Sequence, residues 1–206
     1  MQQKLKTQIT KQKILEAAEE EFSALGFAAA RVDQIAASAG VNKQMIYAHF
    51  ENKEGLYRAV LEAVYARLTE EQGRIAAGGY VGRESISEVV ENSFSFLHDN
   101  PHFVRLMMWE NLSGGTHAEL LHIRLFEGAA RLLREGMEKG EIRADLDVDQ
   151  TVMSLNMFCF SAFSNAHTLS KLLKKDMLSQ QELSARVEHI KGVFMRYIFD
   201  GEAVKN

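Results

Sequence analysis

The sequence is short of the residues that break helices and of those that staple loops. Its 206 residues include one proline, Pro101, and one cysteine, Cys159. A lone cysteine excludes a disulfide within the chain. Its setting, Asn156-Met157-Phe158-Cys159-Phe160, reads as a small buried hydrophobe rather than a reactive thiol. Near-absence of proline argues against a loop-rich fold and suits long helices, whose interiors do not tolerate it. No run approaches the roughly 18 apolar residues that a membrane span needs. The opening Met1-Gln2-Gln3-Lys4-Leu5-Lys6 lacks the apolar centre of a secretory leader. These absences predict an all-α, cytoplasmic protein, and no metal or cofactor is expected.

A hydrophobic share of 46% with 25% charged residues is ordinary for a globular chain. Net charge is -4, but it is unevenly spread. Residues 1–62 hold eight Lys and Arg against eight Asp and Glu, so the whole acidic excess lies beyond residue 62. The first 13 residues carry Lys4, Lys6, Lys11 and Lys13 and no acid, which makes a basic amino-terminal arm.

Periodicity predicts about nine helices and no strand. Thr10 is placed as the cap of a first helix in which Ile14, Leu15, Ala18, Phe22 and Leu25 recur, and Gly26 ends it. A second helix is expected at about 33 to 39, with Ile35, Ala36 and Ala39 inward. Gly40 permits a reversal, Asn42 caps a third helix to about residue 49, and Asn52 caps a long fourth helix from Lys53 towards Gly78-Gly79. Five more helices are read at about 84 to 98, 101 to 112, 117 to 139, 148 to 171 and 180 to 200. Pro101 opens one of them, where its missing N–H costs nothing.

Two short helices around a glycine turn form a helix-turn-helix if their inner faces meet and the second helix keeps an outer face free. Ile46 and Phe50 belong inside with Ile35 and Val41, which leaves Lys43, Gln44 and Tyr47 outward. Lysine neutralises phosphate, the glutamine amide pairs with an adenine edge, and tyrosine bonds phosphate through its hydroxyl. His49 and Lys53 flank this face, and Arg31 and Asn42 lie at its edges. The set Arg31, Asn42, Lys43, Gln44, Tyr47, His49 and Lys53 is therefore the candidate contact with double-stranded DNA.

The stretch Val32-Asp33-Gln34-Ile35-Ala36 through Tyr57 resembles the amino-terminal signature of the TetR (tetracycline repressor) family of bacterial transcription regulators. Ile35-Ala36, Ala39-Gly40-Val41, Ile46-Tyr47, Phe50 and Lys53-Glu54 fall in its spacing, and Ile14-Leu15-Ala17-Ala18-Phe22-Gly26-Phe27 matches the preceding helix. There are departures: Ala30-Arg31 stands where Thr or Ser is frequent, Asn42 where Ser is, Gln44-Met45 where a small residue and Thr are, and Gly55 where an acid is common. The resemblance implies a DNA-binding domain at 1–62 and a helical effector-binding and dimerisation domain at 63–206. It further implies a homodimer through helices 148–171 and 180–200 and a ligand-responsive repressor acting on a palindromic operator.

Phe103, Met107, Trp109, Phe126, Met153, Met157 and Phe160 supply soft apolar surface suited to a small hydrophobic or aromatic effector, although such residues at helical spacing serve more often as plain core. The rival reading is a helical metal- or cofactor-binding enzyme with an idle helix-turn-helix. Its signals are thin. His98 and His102 are separated by Asn100-Pro101, and Glu119-Leu120-Leu121-His122 is a single copy of an element that di-iron bundles use twice.

Overall fold

Most of the described chain is helical. In a computed structural model, described for residues 2–77, 79, 82–120 and 127–199, the helices are α1 (Gln2–Ala29), α2 (Val32–Ala39), α3 (Lys43–Phe50), α4 (Lys53–Ala77), α5 (Arg83–Asp99), α6 (Pro101–Leu112), α7 (Glu127–Glu138), α8 (Val148–Ser164), α9 (Ala166–Leu173) and α10 (Gln180–Phe199). A 3-10 turn covers Ala118–Leu120, and there is no strand among the described residues.

The tenth helix arises because the stretch expected as one helix at 148–171 is two. At Asn165 the backbone turns to φ -104° and ψ 4°, which ends α8 and starts α9. Neither glycine nor proline marks that break. The helix expected at 117–139 resolves into the 3-10 turn and α7, separated by residues outside the described set. Thr10 does not cap α1. That helix already starts at Gln2, and the Thr10 hydroxyl donates to the Lys6 carbonyl at 2.9 Å, the back-bond of a mid-helix threonine.

The chain divides into two compact units, one made of Met1–Arg67 with His102–His122 and the other of Leu68–Pro101 with Ile123–Asn206. The expected boundary at residue 62 therefore misses one feature: α6 and the segment after it pack in the first unit. Local chemistry explains this. Gly26 adopts φ 73°, bending α1 near its end, and the Trp109 ring fills the space beside it. A β-carbon on Gly26 would fall 2.8 Å from Trp109 Cδ2, and the indole N–H donates to the Ser23 carbonyl at 3.2 Å. Nearby the Ser23 hydroxyl meets His102 Nδ1 at 2.6 Å. Ile14, Ala18, Phe22, Leu56, Tyr57, Leu61 and Leu106 complete a fully buried core in this unit.

In the second unit α5 packs on α7, α8 and α10, and α8 on α7, α9 and α10. Val89, Val90, Leu132, Leu133, Val152, Leu155, Cys159, Ile190 and Ile198 are buried. Ile190 and Phe194 face this unit's own core, not outward as a dimer surface would want. The outward side of α8 carries Met153, Met157 and Phe158. Burial pushes the Cys159 thiol up to about 12, against a small opposing effect of Arg186, so it is a packed hydrophobe as its neighbours in sequence imply. A thiol-reactive dye should therefore leave Cys159 untouched in the native protein and label it only as denaturant unfolds the second unit. Fast native labelling would contradict this packing.

Candidate nucleic-acid interface

The helix-turn-helix is built from caps and a close approach. Gly40, at φ 67°, closes α2 with its N–H on Ala36 and Ala37 carbonyls, and Val41 N–H follows onto Ala36 O at 3.0 Å. The Asn42 side chain accepts from Met45 N–H at 2.8 Å and starts α3. Ile35, Ala36, Ile46 and Phe50 are buried together as the inner faces require. At the start of α2 no side chain caps the helix, in keeping with the replacement of a hydroxyl by Ala30-Arg31. Glu21 of α1 supplies an acceptor instead, taking the Arg31 N–H at 3.1 Å.

Beyond α3 the chain reverses within three residues. Glu51 sits at φ 66° and ψ -53°, and Asn52 N–H bonds back to the Phe50 carbonyl at 2.7 Å, the pattern of a strained γ-turn. The Asn52 side chain then accepts from Gly55 N–H at 2.8 Å to open α4. Gly55, which reads in the sequence only as a missing acid, has a steric reason: a β-carbon there would lie 2.2 Å from the Phe50 carbonyl oxygen. The turn that sets α3 against α4 needs a glycine at this point.

The outward side of α3 presents Gln44, Met45, Tyr47 and Ala48, with Tyr47 39% exposed. Lys43 stands beside them, with its ammonium 3.0 Å from the Asp33 carboxylate of α2 and 5.9 Å from the Tyr47 ring centre. The hydrogen bond to Asp33 holds the lysine above its ordinary pKa. Arg31 and Asn42 are exposed at the edge of this face, while His49 is half-buried with its ring 6.1 Å from that of Phe50. Lys53 is turned the other way. Its ammonium donates to the Ala28 carbonyl at 3.2 Å and lies 4.8 Å from the Phe27 ring centre, so it ties the end of α1 to the start of α4. Of the basic arm, Lys6, Lys11 and Lys13 are exposed on helical backbone, with Lys11 5.6 Å from the Phe50 ring centre.

With that geometry in place, comparison with known proteins is decisive. Residues 14–60 match the profile described as "Bacterial regulatory proteins, tetR family", and residues 83–193 match "Tetracyclin repressor-like, C-terminal domain". The chain belongs to the TetR family. It is a DNA-binding transcription regulator and not an enzyme, so the metalloenzyme reading is set aside. Among TetR-family relatives it is 31% identical over 178 residues to the HTH-type transcriptional repressor NicS of Pseudomonas putida, covering 84% of each chain. It is 38% identical over 137 residues to the repressor SCO4008 of Streptomyces coelicolor, covering 65% of this chain and 67% of that protein. The fold is that of a putative regulator, SCO4942 of Streptomyces coelicolor, at TM-score 0.72 and 24% identity, covering 92% and 98% of the two chains. The regulator FadR from Bacillus subtilis, solved in complex with stearoyl-CoA, has TM-score 0.68 at 21% identity, covering 87% and 96%.

Of the described residues expected to line an effector pocket, three belong to the first unit and three to the second. Phe103 is buried in the first unit, Met107 Sδ lies 3.7 Å from the Tyr65 hydroxyl that donates to it, and Trp109 is seated on Gly26. Met153 and Met157 face outward from α8 in the second unit, Phe160 is half-buried there, and Phe126 lies outside the described residues. Among the histidines, His98 and His102 sit on different helices, and Glu119 pairs with Arg58 at 2.9 Å while His122 lies outside the described residues. Among the described residues no group of three or more His, Cys, Asp or Glu side chains is arranged to hold a metal ion, and no described helix is long and apolar enough to cross a membrane.

Sequence reasoning passed over a buried polar cluster in the first unit. Glu110, 6% exposed, takes the Tyr57 hydroxyl at 2.7 Å on one oxygen and the His117 backbone N–H at 3.0 Å on the other. A signal for it existed, because Phe103, Leu106 and Glu110 share one inward phase of α6. A carboxylate at that phase has to be partnered.

The turn geometry makes two opposed expectations. Gly55→Ala should destabilise the protein by about 1–3 kcal/mol, since the Phe50 carbonyl must move. Glu51→Gly, which removes a side chain from a positive φ, should leave stability unchanged or raise it by up to about 1 kcal/mol. Urea unfolding followed by the fluorescence of Trp109, the one tryptophan, measures both. A silent Gly55→Ala would contradict the geometry.

Proposed function

We propose that this regulator is a ligand-responsive repressor that binds a palindromic operator as a homodimer. The observation that carries the DNA contact is the outward side of α3, where Gln44 and Tyr47 stand exposed beside Lys43 on a helix capped at both ends. Gln44 and Tyr47 reach base edges and sugar, and Lys43, Arg31 and Asn42 hold phosphates. Lys43 can exchange Asp33 for phosphate, because an exposed ion pair is worth only about 0–1 kcal/mol. Lys53 acts indirectly, by fixing the start of α4 beneath α3. His49 supports α3 through its ring contact with Phe50. The names of the relatives NicS and SCO4008 support repression.

The homodimer reading rests on α8. Met153 and Met157 are 46% and 53% exposed on its outward side, next to Phe158, which is more apolar surface than a solvated helix needs. Together with α10, whose Tyr197 is also exposed, this face suits a second copy better than it suits an effector pocket. The effector remains a small apolar molecule. In the second unit a groove of about 680 Å³, lined by Phe94, His98, Leu178, Leu183 and Val187 among others, is the right size for one. The FadR neighbour was solved with stearoyl-CoA, whose long acyl chain supports uptake of an apolar chain by this fold.

Selection of bound sequences from random DNA, followed by fluorescence anisotropy on the recovered duplex at fixed salt, tests the reading. The Lys43→Ala, Tyr47→Ala double variant should bind about 10- to 100-fold more weakly, and Asp33→Asn should bind more tightly at low salt. A double variant that binds like wild type would remove α3 from the interface. Met153→Glu with Met157→Glu should give a folded monomer in sedimentation that no longer holds a two-fold site. A dimer of unchanged strength would rule out this face.

A further inference from the structure

His117 is 5% exposed and has both ring nitrogens directed at carboxylates. Nδ1 lies 3.2 Å from Glu110 Oε1, and Nε2 makes a short contact with Glu54 Oε1 in the first turn of α4. Its ring packs edge-on to Tyr57, with centres 5.1 Å apart, and 6.4 Å from the Phe27 ring centre. The groups that face it are therefore Glu54 and Tyr57 from α4, Glu110 from α6, Phe27 from α1, and Glu119 with its partner Arg58 at the rim. Only an imidazolium donates on both sides at once. A neutral ring has one donor, and its other nitrogen then sets a lone pair against a carboxylate. The weaker side is Glu54, which is half-exposed and free to rotate into water, whereas Glu110 is buried and held by two further donors.

We propose that His117 is a proton-dependent positioning residue that clamps the segment following α6 onto the first turn of α4, so that its deprotonation opens the clamp and weakens DNA binding. The inference rests on the DNA-binding reading above. The link to DNA is local. Glu54 follows α3 by four residues, through the γ-turn at Glu51 and the Asn52 cap. Releasing the first turn of α4 loosens the seat of α3, with no change in any residue that would touch DNA. Burial disfavours the charged imidazole, but its hydrogen bonds to the Glu54 and Glu110 carboxylates outweigh that and raise the pKa above 6.5. The sign follows: the clamp is complete below 6.5 and is lost as pH rises through the raised value.

The test follows affinity for the selected duplex from about pH 6 to about pH 9 at constant ionic strength, in parallel with the imidazole resonances of histidine-labelled protein without DNA. Each unit by which the pKa differs between clamped and released forms shifts the clamp about tenfold, so wild type should lose affinity as pH rises through the raised His117 value. His117→Gln should be flat where wild type falls. Glu54→Gln, a milder change should the first variant fold poorly, should move the His117 midpoint downward. A His117 resonance titrating at or below 6.5, a midpoint unmoved by Glu54→Gln, or a His117→Gln variant with the wild-type slope would each overturn the clamp. If wild type bound no selected duplex at any pH, the DNA-binding reading would fall, and the resonance midpoint would still decide the clamp.

Discussion

A carboxylate taken out of water must be fully hydrogen bonded or the fold around it fails, and the first unit is arranged around that demand at Glu110. One oxygen receives the Tyr57 hydroxyl and the His117 ring, and the other receives the His117 main chain. Losing one partner of such a buried charged set costs about 3–5 kcal/mol, a large share of the stability of a small domain. Apolar packing would hold α6 against α1 and α4 in several registers. The Glu110 set admits one, and it draws the chain from His102 onwards into the unit that carries the helix-turn-helix.

The same demand orders the neighbourhood. Burial and the Glu110 carboxylate raise the Tyr57 pKa far out of its ordinary range, so the hydroxyl stays a donor at any physiological pH. The Tyr57 ring meets that of Phe22 edge to face, with centres 4.9 Å apart, and lies tilted against Phe27 at 5.1 Å, and Phe27 in turn takes the ammonium of Lys53. The bend at Gly26 places Phe27 in this position and lets Trp109 approach from α6. A chain of contacts thus runs from a buried acid, through aromatic rings, to the turn that orients α3.

Local features were legible in the sequence because their causes are local. Asn42 and Asn52 cap the helices they were expected to cap, Gly40 makes the reversal, and Ile35, Ile46 and Phe50 form the inner face that their spacing implies. What was not legible depends on partners far along the chain. Tyr57 and Glu110 are 53 positions apart, Glu54 and His117 are 63, and no periodicity encodes such pairings. In sequence Lys53 reads as flanking the DNA face because it lies in the first turn of a helix, and the carbonyl of Ala28 that its ammonium meets comes from a segment 25 positions earlier in the chain. Gly55 looked like the loss of an acid, and its steric role appears only once the Phe50 carbonyl is placed. The break at Asn165 has no sequence punctuation at all.

An acidic chain that must recognise a polyanion gains from keeping its cations occupied until the right surface arrives. Lys43 is held by Asp33, Lys53 by a carbonyl and a ring, and Lys11 lies near the face of Phe50. These partners are not equivalent. The Lys43 pair is exposed and cheap to exchange, so phosphate can displace Asp33 at little cost, whereas Lys53 would have to give up the Ala28 carbonyl and the Phe27 ring to leave. On the proposed reading, this would hold down binding to arbitrary DNA, which depends on unspent positive charge, and leave the uncharged Gln44 and Tyr47 to read sequence. If α3 is the reading helix, as proposed, discrimination depends on α3 being correctly seated, and so on the buried contacts behind it as much as on its outward face.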